Sequence, residues 1–406
     1  MKCSYFSRHL LLKQSQRSKN GLIKFTRARR FGSGSGSRHR RHIIDLRSDT
    51  VTLPSKGMLQ AAMSAKLGDD VYLEDPTVIE LEEYAADLFG KEKGLFLPTC
   101  TMSNLVSVLS HCHTRASEIL IGASSHICMW EGGNAASLGG VHTLQIEEDP
   151  MDATMDIEKI RDSIKDDSDD HWPETKLLCL ENTHNMLGGV ALPKEYMDKM
   201  GTLAREEWNI ACHLDGARIF NTAVALYGNA PNAASHMSDL CRQIDTISIC
   251  CSKGLGAPLG SVLVGESEFI RLARRARKHC GGGMRQAGVV ASMSLYAMQH
   301  NVAFLEEDHY RAKRIGKALH EHGFYLPRNG QVDTNVVYFG LPLHLEGGDK
   351  LTIPKDEFAR ILEEDFGIRI TGGYSKGGEL FRIVTHMGIT DDDVGHAIDT
   401  ILKLCS

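Results

Sequence analysis

Short apolar runs alternate with amphipathic stretches from residue 43 to about residue 285. The apolar runs are bounded by Gly, Asp, His or Ser, which is typical of strands buried on both faces of a sheet. Regular alternation of strand and helix predicts a mostly parallel sheet covered by helices on both sides, a three-layer α/β/α fold. The predicted strands cover residues 119–121, 177–180, 210–214, 246–250 and 261–264, and the predicted helices cover residues 76–88, 103–111, 157–165 and 194–207.

The pattern changes after three consecutive glycines, Gly281-Gly282-Gly283. A long helical region is followed by two strands and a closing helix that opens with three aspartates, a sequence suited to the positive end of a helix. We therefore predict a large domain over residues 43–285, with an N-terminal arm of about 43–60, and a smaller α+β domain over 286–406. The predicted helical region covers about residues 286–318, the strands cover 336–339 and 381–384, and the closing helix covers 391–404.

Charge is distributed unevenly along the chain. The 406 residues have a net charge of −6, yet residues 1–42 contain twelve Lys and Arg and no acidic residue. Residues 43–406 therefore carry a net charge of −18, which would repel a polyanion and argues against nucleic-acid binding. Since the sequence contains no apolar stretch of about eighteen residues, we expect no membrane span.

The basic, serine-rich leader of residues 1–42 fits a mitochondrial transit peptide better than a secretory signal. Its apolar run, Leu10-Leu11-Leu12, is short and basic residues flank it. The alternative is a disordered basic tail, in which case we expect a cytoplasmic protein. The favoured prediction is the mitochondrial matrix.

Eleven cysteines, an odd number with no Cys-x-x-Cys spacing, indicate reduced and mostly buried thiols. The group His111-Cys112-His113 lacks a second ligand pair at zinc spacing, so we predict no metal site.

Two strand ends contain the strongest chemical signals. Lys253 closes the apolar run 246–250 and precedes a glycine-rich turn, where burial should depress the lysine pKa and free the amine to form a Schiff base with an aldehyde. Asp215 ends the preceding strand, and a carboxylate there can keep the pyridine nitrogen of pyridoxal phosphate protonated. Each residue alone could belong to an ordinary solvated loop or turn, whereas the pair one strand–helix unit apart is unusual.

A phosphate needs hydrogen-bond donors. The segment 98–103 (Pro-Thr-Cys-Thr-Met-Ser) precedes a predicted helix, and free backbone N–H groups at a helix start can bind an anion. An ordinary helix cap at Thr99 or Thr101 explains the same residues equally well.

Seven motifs in order resemble the low-specificity L-threonine aldolases, also called L-allo-threonine aldolases, from about residue 43 to the C-terminus. They are 46–52 (Leu-Arg-Ser-Asp-Thr-Val-Thr), 68–72 (Gly-Asp-Asp-Val-Tyr), 74–77 (Glu-Asp-Pro-Thr), 181–185 (Glu-Asn-Thr-His-Asn), 213–218 (His-Leu-Asp-Gly-Ala-Arg), 252–258 (Ser-Lys-Gly-Leu-Gly-Ala-Pro) and 281–286 (Gly-Gly-Gly-Met-Arg-Gln).

The resemblance implies a pyridoxal 5'-phosphate enzyme of the aspartate-aminotransferase fold (fold type I), usually a homotetramer with active sites at a dimer interface. Cleavage of L-threonine or L-allo-threonine to glycine and acetaldehyde is the implied reaction. By similarity, Lys253 bonds covalently to the cofactor, Asp215 contacts its ring nitrogen and His126 stacks on its ring. The phosphate would be held by Cys100 and Thr101, with Lys278 and Arg285 from a neighbouring subunit. The residues implied in substrate binding are Ser48, Tyr72, Arg218 and Arg382.

The implied chemistry is a retro-aldol cleavage, in which a guanidinium fixes the substrate carboxylate and a base removes the β-hydroxyl proton. His126, His184 and a bound water are the candidate bases. Alternatives on the same fold are a β-eliminating lyase, a racemase or a transaminase. A non-catalytic scaffold without cofactor is a third possibility.

Three positions depart from the family pattern. Cys100 replaces Gly or Asn in the phosphate turn, Leu73 replaces Gly after Tyr72, and Trp130 replaces Tyr near His126. If the backbone at Leu73 has a positive φ, we expect strain there. These departures bear on cofactor affinity and substrate entry, and altered specificity, such as a preference for phenylserine, stays open.

Overall fold

The computed structural model describes residues 42–228, 230–342, 354–373 and 380–405, so the predicted leader lies outside the described residues except for His42. The described strands are β1 (Ile44–Asp45), β2 (Lys93–Leu97), β3 (Ser117–Gly122), β4 (His142–Ile146), β5 (Glu174–Glu181), β6 (Ala211–Gly216), β7 (Thr246–Cys250), β8 (Ser261–Gly265), β9 (Val336–Phe339), β10 (Ile368–Arg369), β11 (Thr371–Gly372) and β12 (Phe381–Val384).

The described helices connect and cover these strands. They are α1 (Lys56–Ser64), α2 (Pro76–Phe89), α3 (Cys100–His111), α4 (His126–Met129), α5 (Asn134–Ser137), α6 (Ile157–Ser163), α7 (Lys194–Glu206), α8 (Ile219–Tyr227), α9 (Ala230–Ser235), α10 (Met237–Leu240), α11 (Ser267–His279), α12 (Gly288–His300), α13 (Leu305–Glu321), α14 (Lys355–Ile361) and α15 (Asp391–Leu404). Among the described residues, none of the helices has the length and apolar character to cross a bilayer.

The main sheet has seven strands in the order β2-β8-β7-β6-β5-β3-β4. Strands β4, β3, β5, β6 and β7 are parallel to one another, and β8 runs antiparallel to both of its neighbours, β7 and β2. The predicted three-layer fold with a mostly parallel sheet is confirmed. Strands β2 and β4 were not predicted, because β2 begins with Lys93 and Gly94 and β4 alternates polar with apolar residues at an edge of the sheet.

Capping residues define both ends of α2, the helix that precedes β2. Asp75 caps α2 by accepting hydrogen bonds from the backbone N–H groups of Thr77 and Val78, and Pro76 occupies the first turn, where no intrahelical N–H is required. Gly90 ends the helix in the left-handed conformation, with φ of 63°. The prediction of a helix starting at residue 76 is confirmed.

The two largest of five apolar clusters form the main cores of the described residues. The larger core packs the main sheet against its helices, and α12 contributes Ala291, Leu295 and Met298 to it. The second core combines Ile44 and Leu46 with β9, β12, α13 and α15. Helix α12 thus packs with the large sheet although the sequence grouped it with the C-terminal part, and the domain division at residue 285 stays a prediction.

The second core contains two small sheets. Strands β11, β12 and β9 form an antiparallel sheet, and β1 pairs in parallel with β10. The closing helix α15 starts with a capping box, in which Thr390 and Asp393 exchange side-chain hydrogen bonds with each other's backbone N–H groups. Strands β9 and β12 and helix α15 were predicted with these same bounds.

Candidate active site

The predicted chemical residues meet at one edge of the main sheet. Asp215 lies at the carboxyl end of β6, Lys253 follows β7, and the starts of α3 and α4 follow β2 and β3. In parallel α/β sheets ligands bind at the carboxyl ends of the strands, because the loops there are positioned by a rigid scaffold. The described topology therefore brings these four elements to one site.

Asp215 is buried at 2% exposure and is held from several directions. Its Oδ2 accepts a hydrogen bond from Nδ2 of Asn104 at 2.9 Å, and its Oδ1 accepts from the backbone N–H of Ala217 at 3.1 Å. Sγ of Cys100 lies 3.9 Å from Oδ1. A carboxylate fixed in this way is suited to face a ring nitrogen that must keep its proton.

Lys253 lies among charged and thiol groups. Burial acts to lower its pKa, but the nearby Cys250, Cys100 and Asp215 outweigh that effect, so the pKa of Lys253 is raised above its ordinary value. The predicted depression of the lysine pKa is therefore wrong. The physical reason is that burial alone was considered, whereas Cys250, three residues earlier, and the acidic groups of other elements raise the pKa of the amine.

His126 is held by a carboxylate. Its Nδ1 lies 3.0 Å from Oε1 of Glu131, and its backbone N–H donates to Oε2 of Glu181 at 2.5 Å. Burial acts to lower the pKa of His126, and the hydrogen bond to Glu131 with the charge of Asp215 raises it overall. The imidazole is 30% exposed, so it can contact a bound molecule.

One atom from each of His126, Glu131 and Asp215 lies within 4.8 Å of the others, which is a spacing that could suit a metal ion. Their oxygens, however, already accept hydrogen bonds: Asn104 Nδ2 donates to both carboxylates at 2.9 Å. The prediction that no metal binds stays a prediction, and the hydrogen-bonded arrangement fits a flat polar ring better than an ion.

The start of α3 provides the predicted anion site. Thr99 caps the helix by accepting the N–H of Met102 at 3.1 Å, and Cys100 and Thr101 are its first two residues. Their N–H groups lie in the turn where a helix has no carbonyl partners of its own, and α3 has twelve residues. The amine suits the aldehyde of pyridoxal phosphate, the buried carboxylate suits its ring nitrogen, the imidazole suits its ring and the helix start suits its phosphate. The residues present therefore fit that cofactor.

Arg218 and Arg382 meet at Asn185. Their Nη1 atoms lie 3.5 Å and 3.2 Å from Asn185 Oδ1, and both arginines are 6% exposed. The Nε and Nη2 edge of Arg218 donates to Asp49, and Nη2 of Arg382 donates to the carbonyl oxygen of Arg47 at 3.0 Å. The predicted carboxylate-binding arginines are brought together, although one edge of Arg218 is already occupied.

Ser48 lies beside this pair, with its Oγ 3.4 Å from Oδ1 of Asp49. His184 has a different environment, since its side chain is 3% exposed and its Nε2 lies 3.1 Å from Oε1 of Glu148. Burial acts to lower the pKa of His184, while Glu181 and Glu148 raise it overall. An imidazole enclosed in this way is less suited than His126 to take a proton from a substrate.

Three predicted residues lie on the surface of the chain. Tyr72 is 71% exposed, Lys278 is exposed, and Arg285 is exposed with its Nη1 2.9 Å from Oδ2 of Asp69. These positions agree with residues that act across a subunit interface, and their roles stay predictions.

The departures from the family pattern have visible effects. Leu73 has φ of 61° in the left-handed region, so the expected condition for strain is met. Cys100 points its thiol at Asp215, and Trp130 is 49% exposed one residue beyond α4.

Sequence reasoning missed four residues of the site. Asp49 and Asn185 stood inside quoted motifs without a role, and Asn104 could have been found as the residue one helical turn after Cys100, on the same face of α3. The role of Glu131 could not be predicted from the sequence, because it depends on tertiary contacts with Asn104 of α3 and His126 of α4.

The fold and this set of residues define a fold type I enzyme that depends on pyridoxal phosphate. The family model described as beta-eliminating lyase matches residues 45–341. The probable low-specificity L-threonine aldolase 2 of Arabidopsis thaliana is 41% identical over 362 residues, which cover 89% of this chain and 97% of that protein. The chain belongs to the low-specificity L-threonine aldolase family.

Two further comparisons agree. The low specificity L-threonine aldolase of Escherichia coli O157:H7 is 48% identical over 296 residues, covering 73% of this chain and 84% of that protein. The threonine aldolase structure from Leishmania major has a TM-score of 0.71 at 17% identity, covering 89% of this chain and all of that one, which shows the same fold.

Proposed function

We propose that this protein is an aldolase that cleaves L-threonine and L-allo-threonine, and related β-hydroxy-α-amino acids, to glycine and an aldehyde. The carrying observation is that two buried arginines meet at Asn185, and that Arg218 lies two residues beyond β6 while Lys253 lies three residues beyond the neighbouring parallel strand β7. Such an arrangement can hold an amino acid by its carboxylate while its nitrogen lies at the covalent site. The relatives named as threonine aldolases support this assignment.

The residues of this chain divide the work as follows. Lys253 would attach the cofactor and release it to the substrate amine, and Asp215 would keep the ring nitrogen protonated. Pyridoxal phosphate, when bound, supplies a sink for the electron pair of the broken Cα–Cβ bond. The arginines fix rotation about the Cα–N bond, so that the bond to be cleaved is held in the reactive orientation.

A base must take the β-hydroxyl proton. His126 is partly exposed and its Nδ1 is held by Glu131, which leaves its Nε2 to contact a ligand, whereas Nε2 of His184 is engaged with Glu148. We assign the proton transfer to His126 or to a water held beside it.

The experiment is a product assay with purified holoenzyme and L-allo-threonine. We expect acetaldehyde and glycine in equal amounts, and no acetaldehyde from Lys253→Ala, which should stay folded by circular dichroism. In place of acetaldehyde, 2-oxobutyrate with ammonia would assign the protein to elimination, and 3-hydroxy-2-oxobutyrate would assign it to transamination. Formation of D-threonine, the epimer at Cα, would assign it to racemisation at that carbon. A wild-type protein that binds no pyridoxal phosphate would indicate a scaffold.

We infer that the protein assembles as a homotetramer with each active site at a subunit interface. A groove of about 1250 Å³ supports this, since it runs from Thr101 and Glu131 along α11 to Cys280, and the exposed Lys278 is next in sequence to His279, one of its lining residues. Light scattering coupled to size-exclusion chromatography should give four times the chain mass. A monomer at micromolar concentration would contradict the proposal.

We also infer that residues 1–42 direct the protein to the mitochondrial matrix, because they contain twelve basic and no acidic residues. Residues 1–42 fused to a fluorescent protein should bring it into mitochondria, and a version with the eight arginines replaced by glutamine should leave it in the cytoplasm. A cytoplasmic location for the unaltered fusion would identify a plain basic tail.

A further inference from the structure

Arg218 forms a closed ion pair with Asp49. Its Nε lies 2.7 Å from Asp49 Oδ2 and its Nη2 lies 2.7 Å from Asp49 Oδ1, a bidentate geometry in which both atoms of the carboxylate are used. The Asp49 side chain is fully buried and that of Arg218 is 5% exposed. The two residues come from distant parts of the sequence, the N-terminal segment and the start of α8.

Other residues keep Asp49 in place. Nδ2 of Asn335 lies 3.3 Å from Oδ2, and Oγ of Ser48 lies 3.4 Å from Oδ1. Burial acts to raise the pKa of Asp49, but the charges of Arg218 and Lys253 and the hydrogen bonds lower it to about 2. The carboxylate is therefore ionised at any pH at which the enzyme works, and it cancels the charge of Arg218.

We propose that Asp49 is a positioning and specificity-determining residue that orients Arg218 and, by neutralising it, restricts the site to amino acids with a single carboxylate. This inference rests on the proposed aldolase function. Asp49 occupies the Nε and Nη2 edge of Arg218, which could otherwise bind a second carboxylate in a bidentate geometry. Only the Nη1 side of Arg218, which faces Asn185, remains directed at the substrate carboxylate.

The proposal makes a clear chemical distinction between two substrates. L-threonine and L-threo-3-hydroxyaspartate share the β-hydroxy-α-amino acid skeleton and differ in a methyl group against a carboxylate. Retro-aldol cleavage gives glycine from both, with acetaldehyde from the first and glyoxylate from the second. Because Asp49 neutralises Arg218, the pair offers no net positive charge to receive the additional negative charge of the second substrate.

The test compares the wild-type holoenzyme with three variants. Asp49→Asn removes the charge and keeps the shape, and Asp49→Asn with Arg218→Gln removes both charges of the pair. Asp45→Asn is the matched control, since Asp45 lies in the same segment and pairs with Arg47 near the surface. The measurements are kcat and KM for both substrates, and the dissociation constants of glycine and L-aspartate from changes in visible absorbance.

We expect Asp49→Asn to raise the KM for L-threonine about tenfold with a smaller change in kcat, because Arg218 loses its orientation. The preference for L-threonine over 3-hydroxyaspartate, and for glycine over L-aspartate, should fall by at least about tenfold. The double variant should keep the preference of the wild type, and the control should resemble the wild type in both respects.

An unchanged preference in Asp49→Asn, or an equal shift in Asp45→Asn, would overturn the proposal. If Asp49→Asn does not fold, the double variant tests the proposal instead, because neither position 49 nor position 218 then carries a charge. A preference of the double variant for the dicarboxylate would overturn the inference. A wild type that releases no acetaldehyde would refute the aldolase function, whereas the titrations with glycine and L-aspartate would still decide the role of Asp49.

Discussion

Nδ2 of Asn104 lies 2.9 Å from Oδ2 of Asp215, and His213, on the other side of the amide, determines the orientation of the Asn104 side chain. Burial lowers the pKa of His213 to about 4, so its imidazole is neutral, and its Nε2 lies 3.2 Å from Asn104 Oδ1. A neutral imidazole that donates from Nε2 forces the amide oxygen of Asn104 toward it and the amide nitrogen toward Asp215 and Glu131.

The first prediction concerns this amide. Asn104→Ala should weaken binding of pyridoxal phosphate about tenfold or more, because a hydrogen bond to a buried charged group contributes about 1.5–3 kcal/mol. Equilibrium dialysis of the apo-protein against the cofactor measures the change. Ser110→Ala is the control, since Ser110 lies on the same helix and, among the described residues, its hydroxyl bonds only to the carbonyl oxygen of Val106. Equal affinity in Asn104→Ala and the wild type would contradict this role.

The second prediction concerns the strained backbone at Leu73, whose side chain is 56% exposed. Leu73→Asn should raise the free energy of unfolding by about 0.5–1 kcal/mol, because asparagine tolerates the left-handed conformation that costs other residues about 1–2 kcal/mol. Urea denaturation measures the change. Leu73→Ala keeps the Cβ atom and should bring no gain, and a gain equal to that of asparagine would show that the strain lies elsewhere.

The third prediction uses pH. Asp308 is fully buried, neither of its side-chain oxygens accepts a hydrogen bond from the described residues, and burial raises its pKa to about 8. The folded chain therefore holds a proton that the unfolded chain releases near pH 4. The contribution to stability is present at low pH and is lost as the pH rises from about 4 through about 8.

Asp308→Asn stays uncharged at every pH and removes this dependence. Relative to the wild type, its free energy of unfolding should increase by roughly 1–3 kcal/mol between pH 5 and pH 8.5, as urea titrations at both pH values would show. Glu306→Gln, an exposed change in the same helical turn, is the control. A difference that does not vary with pH would mean that Asp308 is ionised throughout.

The fourth prediction tests whether Arg285 acts in a neighbouring site. Lys253→Ala and Arg285→Ala should each be nearly inactive alone, and refolding or co-expressing the two together should restore a substantial fraction of wild-type activity. In such a mixture some sites receive Lys253 from one chain and Arg285 from another. A mixture no more active than its components would place Arg285 in the site of its own chain.

The strand pattern predicted much of the architecture, because buried parallel strands and capped helices leave local signals. Strands β7, β9 and β12 and helix α15 have the predicted bounds, and Asp215 and Lys253 lie at strand ends as expected. Edge strand β4 left a weak signal, since only Leu144 and Ile146 of its five residues are large and apolar.

What the sequence could not provide is the environment that distant elements create. The pKa of Lys253 depends on Cys250 and also on Cys100, which lies 153 residues away along the chain, and so its direction could not be inferred from burial alone. In the same way, the partner of Arg218 is an aspartate from the N-terminal segment, which no local spacing connects to α8. Positions of residues follow from local pattern, whereas their charge balance follows from the tertiary fold.

The short strand β1 gives the first described residues an importance beyond their number. Ile44 and Asp45 pair with Ile368 and Arg369, and only a few residues later the same segment delivers Ser48 and Asp49. If a peptidase removes the leader as proposed, a cut before His42 keeps both the pairing of β1 with β10 and the residue Asp49, whereas a cut several residues further along would remove Ile44 and Leu46 from the second core. The position of such a cut would therefore decide both the packing of that core and the completeness of the site.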